Sequence, residues 1–234
     1  MYKKIKNYID YILVMYLLEA KGRHIYTLIF LHGMYKNYES LIETSKYIQE
    51  RINTIKIVLP DAPKMTIDWP TGKEENVNSW YNYYTRKDGM MEYDEIESKD
   101  FKTQVKRITK IVDNEVNILK GRSERVILSG ISQGGTIALH VALTYKSSLK
   151  SVIGIHTLFL ADTIKYYEKI NKIPIYLFSG REDKIYNIKL QEYSNNILLK
   201  NNLTVNWKIE NNLGHSEYSV NEIDFIINSI NDKN

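Results

Sequence analysis

A serine hydroxyl becomes a nucleophile only with a base beside it, and the stretch Gly130-Ile131-Ser132-Gln133-Gly134 is built to present one. Before it, the apolar run 126–128 is too short for a helix and ends in turn residues. After it, Ile137, Val141, Ala142 and Tyr145 recur at helical spacing. Small residues two before and two after the serine let a strand and a helix cross closely, which forces Ser132 into a strained, exposed conformation. Without its flanks a G-x-S-x-G string is an ordinary glycine-rich turn. Between a strand and a helix it reads as a nucleophile elbow.

The base must be a histidine brought up from elsewhere in the chain. The elbow resembles that of α/β-hydrolases, whose reacting groups follow the order serine, acid, histidine, each at the carboxyl end of a strand. His215 follows the apolar run 204–209 through Asn211-Asn212-Leu213-Gly214 and fits that order. His140 falls inside the helix behind the elbow and His156 at an intervening strand end, so both read as structural. The acid is open among Asp183 and Glu182, which follow the run 174–179, and Asp162, which follows the run 151–156. Such a histidine takes the serine proton as an acyl carbon is attacked and returns it to the leaving group, while the acid holds its tautomer. Upstream, a strand ends in Leu31-His32-Gly33-Met34, where a loop can give one backbone N–H to an oxyanion and the residue after the nucleophile gives the other. The donors would be Met34 and Gln133. No metal or other cofactor is called for, since there is no H-E-x-x-H, no cysteine, and only five scattered histidines.

The elements that must position these groups alternate along the chain. Runs 12–18 and 25–31 are apolar, β-branched and aromatic, joined by the charged turn 19–23, which is a hairpin pattern. The basic start and the run 11–18 imitate a signal peptide, but Asp10 interrupts the entry and Glu19-Ala20-Lys21-Gly22-Arg23 offers no small-residue cleavage site. That run is also far shorter than the ~20 residues that span a bilayer. A helix over 38–49 and a strand over 55–59 follow, stopped by Pro60 and Pro63. From 61 to 100 the pattern breaks down, and Trp69, Trp80, Tyr81, Tyr83 and Tyr84 crowd this segment. Most of these rings are expected to cover the sheet, with Trp80 the candidate for lining a substrate groove.

Phe101, Val105, Ile108 and Val112 step by four, three and four along a helix that runs to about Leu119 and stops at Gly121. Beyond the elbow come a strand at 151–156, a helical stretch near 162–170, a strand at 174–179, a helix at 189–200, a strand at 204–209 and a helix at 221–230. This alternation implies a mainly parallel sheet with helices on both faces in one domain over 1–234, and the elbow's resemblance makes the expected fold that of an α/β-hydrolase. The link between the strands 151–156 and 174–179 leaves no room for an inserted lid domain, so the serine should face an open groove.

Composition narrows the function classes. At 234 residues the chain is long enough for one large α/β domain and short for two. A net charge of +4 spread over interspersed Lys, Arg, Asp and Glu gives no dense basic block, which argues against nucleic acid as a partner. The absence of cysteine excludes disulfides, thiolate metal sites, cysteine catalysis and S-palmitoylation of this chain, and suits a reducing compartment.

Taken together, Leu31-His32-Gly33-Met34, Ser79-Trp80-Tyr81, Gly130 to Gly135, the Gly180 to Asp183 turn and Gly214-His215-Ser216 resemble the acyl-protein thioesterase, carboxylesterase and lysophospholipase family of α/β-hydrolases. The similarity runs from about Tyr11 to the C-terminus. It implies that the acid is Asp183, three residues after the glycine. It also implies a cytoplasmic serine hydrolase, monomeric or weakly dimeric, that cleaves acyl esters or thioesters through Ser132. A lysophospholipase is the alternative among enzymes, and an inactive hydrolase-like binding module the alternative of another class. Two departures stand beside the active groups. Tyr35-Lys36 replaces the Gly-Asp that usually follows His-Gly-Met, and Lys184-Ile185-Tyr186-Asn187 replaces a proline-containing turn after the acid.

Overall fold

The structure is a computed structural model and describes residues 14–68, 72–83 and 95–232, with the side chains of 162, 165 and 166 excepted. Seven strands make the main sheet. In spatial order, and numbered along the chain, they are β1 (Met15–Leu18), β3 (Ile55–Pro60), β2 (Tyr26–Leu31), β6 (Val126–Ile131), β7 (Ser151–Ile155), β8 (Ile175–Gly180) and β9 (Val205–Glu210). Every neighbouring pair is parallel except β1 with β3. β6, which carries the elbow at its carboxyl end, is the middle strand.

The apolar runs on β2, β3 and β6 are buried on both faces, as central parallel strands must be. Their side chains divide between two cores. Leu28, Phe30, Ile55, Ile57 and Ile127 point to one face, which is covered by α1 (Ile42–Arg51) and α5 (Val220–Asn231). Ile29, Leu31, Val58 and Leu128 point to the other, under α2 (Ser98–Ile118), α3 (Gln133–Thr144) and α4 (Ile188–Lys200). α3 is buried along almost its whole length because α2 packs over it and β6 and β7 lie beneath it. α2 begins where the Glu97 carboxylate accepts the Lys99 N–H.

Two expectations need correction. The runs 12–18 and 25–31 do not form a hairpin, because β1 pairs antiparallel with β3, Met15 opposite Pro60 and Leu18 opposite Ile57. The reason is that β2 is a central strand: its edges are taken by β3 and β6, so the chain leaves β1 and passes β3 with Gly22 N–H on the Asn53 carbonyl. The segment after β3 is also less irregular than its sequence suggests. It holds a small separate hairpin, β4 (Lys64–Ile67) with β5 (Glu74–Asn78), whose register shifts between Met65 and Ile67. Residues 1–13, the supposed signal-like start included, lie outside the described residues, as do Trp69 and Tyr84. The link between β7 and β8 carries one 3-10 turn (Ala161–Tyr166) and no lid domain.

Candidate active site

Ser132 sits between β6 and α3 with φ 52° and ψ −125°, a conformation side-chain-bearing residues adopt only when their surroundings impose it. Its surroundings do impose it. The Ser132 N–H donates to the Ile155 carbonyl of β7 at 2.9 Å, and its own carbonyl accepts from Thr136 N at 3.1 Å and Thr157 Oγ1 at 2.7 Å. The crossing is closed enough to demand glycine. A Cβ on Gly130 would lie 2.4 Å from the Gly134 carbonyl carbon, and one on Gly134 would lie 2.4 Å from the His32 carbonyl oxygen.

His215 stands on the loop between β9 and α5, and Asp183 on the turn after β8. His215 Nε2 is 2.9 Å from Ser132 Oγ, and His215 Nδ1 is 2.7 Å from Asp183 Oδ2. The Asp183 carboxylate is wholly buried, and its other oxygen already accepts the N–H groups of Ile185 and Tyr186, both at 2.8 Å. A carboxylate so engaged accepts from His215 Nδ1–H, which leaves the Nε2 lone pair facing the serine hydroxyl. Glu182, next in sequence, is exposed, and its N–H is tied to the Leu213 carbonyl at 2.9 Å. The side chain of Asp162 lies outside the described ones.

Behind Asp183 lies a pair with no motif in the sequence. His156 accepts the Gly180 N–H on Nδ1 at 3.2 Å and so donates from Nε2 to the buried Glu222 carboxylate at 2.9 Å. Its Nδ1 is 3.9 Å from Asp183 Oδ2, but that nitrogen carries no hydrogen, so this approach is not an ion pair. His140 is likewise buried and bonded at both nitrogens, accepting Leu160 N–H at 3.2 Å and donating to Tyr167 at 2.5 Å.

The Met34 and Gln133 N–H groups, the expected oxyanion donors, have no acceptor among the described residues. The loop bearing Met34 is held on several sides. His32 donates from Nδ1 to the Gly33 carbonyl at 2.8 Å and accepts Ala62 N–H on Nε2 at 3.0 Å; burial pushes its pKa down to about 4. Tyr35, where the resembled family carries glycine, takes φ 67°, a conformation that costs a side-chain-bearing residue about 1–2 kcal/mol. Its N–H on the Asn78 carbonyl and its hydroxyl on Glu74 Oε2, both at 2.9 Å, tie it to β5.

Trp80 does not line a groove. It is fully buried, its Nε1–H donating to the His32 carbonyl at 2.8 Å and its ring 5.3 Å from the His32 ring, so it supports the loop that carries Met34. An amphipathic ring with one donor is well served there, because burial removes its apolar area from water while the donor stays paired. Tyr81 and Tyr83 are buried too. The Gln133 side chain was missed by motif reading, which used only its backbone. Its Oε1 accepts from Ser79 Oγ and Trp80 N, and its Nε2 donates to the Tyr81 carbonyl at 2.7 Å.

Among the described residues no group of His, Cys, Asp and Glu is arranged to hold a metal ion, and no helix is long and apolar enough to cross a membrane. A serine hydroxyl hydrogen-bonded to a histidine that is itself bonded to a buried carboxylate suits acyl transfer.

Relatives carry the same outline. Acyl-protein thioesterase 1 of Gibberella zeae is 26% identical over 210 residues, covering 84% of this chain and 86% of that protein. Acyl-protein thioesterase 1 homolog 2 of Dictyostelium discoideum is 30% identical over 191 residues, covering 78% and 81%. The crystal structure of Arabidopsis thaliana SOBER1 superposes with a TM-score of 0.76 at 22% identity, over 88% of this chain and 97% of that one, and so shares the fold. The sequence model of the phospholipase/carboxylesterase family matches residues 15–234. The chain therefore belongs to the phospholipase/carboxylesterase family of α/β-hydrolases, which act on ester bonds.

Proposed function

We propose that this chain hydrolyses acyl esters and thioesters through a covalent acyl-enzyme on Ser132. The observation that carries the reading is the hydrogen-bonded series Ser132 Oγ, His215 and Asp183, at 2.9 Å and 2.7 Å. In this reading Ser132 Oγ attacks the acyl carbon as His215 Nε2 takes its proton, and Asp183 balances the imidazolium. The carbonyl oxygen becomes an oxyanion facing Met34 and Gln133 N–H. Collapse breaks the bond to the thiolate or alkoxide, which leaves with the proton from His215. Water then attacks the acyl-enzyme with His215 again as base, releasing the carboxylic acid and regenerating the serine. Thioesters enter the proposal through the two acyl-protein thioesterases that resemble this chain along most of its length.

The test is steady-state hydrolysis of matched octanoyl and palmitoyl thioesters, oxygen esters and lysophosphatidylcholine by the wild type and Ser132→Ala. The reading expects thioesters to be turned over with higher kcat/KM than lysophosphatidylcholine and Ser132→Ala to lower kcat by about 10⁶-fold. A lysophospholipid preferred over every thioester would reverse the assignment of substrate class.

A further inference from the structure

Tyr186 touches two members of the Ser132–His215–Asp183 set, the acid and the histidine. Its N–H donates to Asp183 Oδ1 at 2.8 Å. Its ring stands edge-on to the His215 imidazole, centroids 5.2 Å apart and planes at 89°. Its hydroxyl pairs with the Tyr83 hydroxyl at 2.9 Å. Tyr83 in turn donates to the Tyr81 hydroxyl at 3.3 Å. All three phenols are buried, and burial raises the pKa of each, so the chain of hydroxyls is neutral.

This arrangement answers a mechanical need. His215 belongs to an irregular loop, and hydrogen bonds at its two nitrogens leave the ring free to rock about the line joining them. A neighbouring ring that cannot move removes that freedom. The turn 184–187 has no proline to stiffen it, yet Tyr186 is fixed at both ends. Gln191 Nε2 donates to its carbonyl at 2.5 Å, Gln191 is itself bonded to Ser179, and Trp207 Nε1 donates to Ser179 Oγ at 2.8 Å. At the other end the hydroxyl is held by Tyr83, which follows β5 and pairs with Ile96 in an isolated antiparallel bridge. In a dry interior each hydroxyl polarises the next, and loss of one leaves its partner short of a bond.

We infer that Tyr186 is a positioning residue for the catalytic set and that Tyr83 acts through it, the hydroxyl pair anchoring the ring that holds the His215 imidazole between Ser132 and Asp183. The inference rests on the acyl-enzyme reading above. It makes the segment after β5 part of the catalytic framework, although that segment is 103 residues away from Tyr186 in sequence.

The test is a double-mutant cycle of Tyr83→Phe and Tyr186→Phe, reading kcat, KM, the fluorophosphonate labelling rate and Tm, with Ser132→Ala as control. The expected result is a fall in kcat of about three- to tenfold in each single variant, the size of one neutral hydrogen bond. KM should be unchanged, the labelling rate should fall in parallel, and the double variant should be no slower than the worse single one. Tyr83→Phe touches neither Ser132 nor His215, so it carries the test even if Tyr186→Phe folds poorly. A lowered Tm with unchanged kcat and labelling, or rate losses that multiply in the double variant, would overturn the inference. Undiminished labelling of Ser132→Ala would instead overturn the acyl-enzyme reading, which keeps the two failures apart.

Discussion

Gln133 Oε1 accepts the Trp80 N–H at 2.8 Å, so the residue that follows Ser132 also anchors the tryptophan whose indole bonds the His32 carbonyl. Gln133 is 1% exposed, and replacing it by leucine fills much of its volume while leaving Trp80 N–H without a partner and the Tyr81 carbonyl with Ser79 Oγ alone. Each orphaned buried group costs about 1–3 kcal/mol. We expect Gln133→Leu to lose about 2 kcal/mol in urea unfolding, and Gln133→Glu to lose more if its buried carboxylate stays ionised. Stability within 0.5 kcal/mol of wild type would show that the side chain is dispensable.

Trp80 gives a second prediction because its position separates support from substrate contact. Trp80→Ala should cost about 3–5 kcal/mol as a large core cavity. Trp80→Phe should cost less and lower kcat modestly through the His32 carbonyl it no longer engages. In neither case should the dependence of kcat/KM on acyl chain length change shape. A chain-length profile from acetyl to palmitoyl that flattens in Trp80→Phe would return this ring to the groove.

Acid stability follows from two buried histidines. Burial lowers the pKa of His32 to about 4 and of His140 to about 3, and each uses one ring nitrogen to accept a backbone N–H, from Ala62 and Leu160. Below about pH 6.5 the unfolded chain protonates both while the folded chain does not. Their contribution is therefore complete above pH 6.5 and is lost progressively as pH falls toward 4 and 3. At pH 5 the loss should be about 2 kcal/mol for each. Urea unfolding at pH 7 and pH 5 measures it, and His140→Gln, whose Oε1 can accept the Leu160 N–H, should remove about 2 kcal/mol of the difference. An identical pH dependence in wild type and His140→Gln would contradict this origin.

The elbow was legible in the sequence because its signals are local: a buried strand, two glycines that fit where no Cβ can, and a helical period afterwards. The succession of strands and helices along the chain beyond it was legible for the same reason. What β1 pairs with was not, because an apolar run states that it is buried and not which neighbour buries it. Asp183 and Glu182 are adjacent, and residues alone left the acid open; the turn after β8 sends one carboxylate inward to His215 and leaves the other exposed. Trp80 misled because a tryptophan in a turn-rich segment suits a groove and a core equally. The pairs His156–Glu222 and Tyr83–Tyr186 join residues 66 and 103 positions apart, and no spacing rule connects them.

The most direct measurement of the central claim is the mass of the protein after reaction with a fluorophosphonate, followed by peptide mapping of the adduct. Ser132 is the hydroxyl 2.9 Å from His215 Nε2. The account therefore predicts one adduct per chain, located on Ser132, absent from Ser132→Ala and formed far more slowly in His215→Ala. Stoichiometric labelling of another residue, or equal labelling of a folded Ser132→Ala protein, would contradict it.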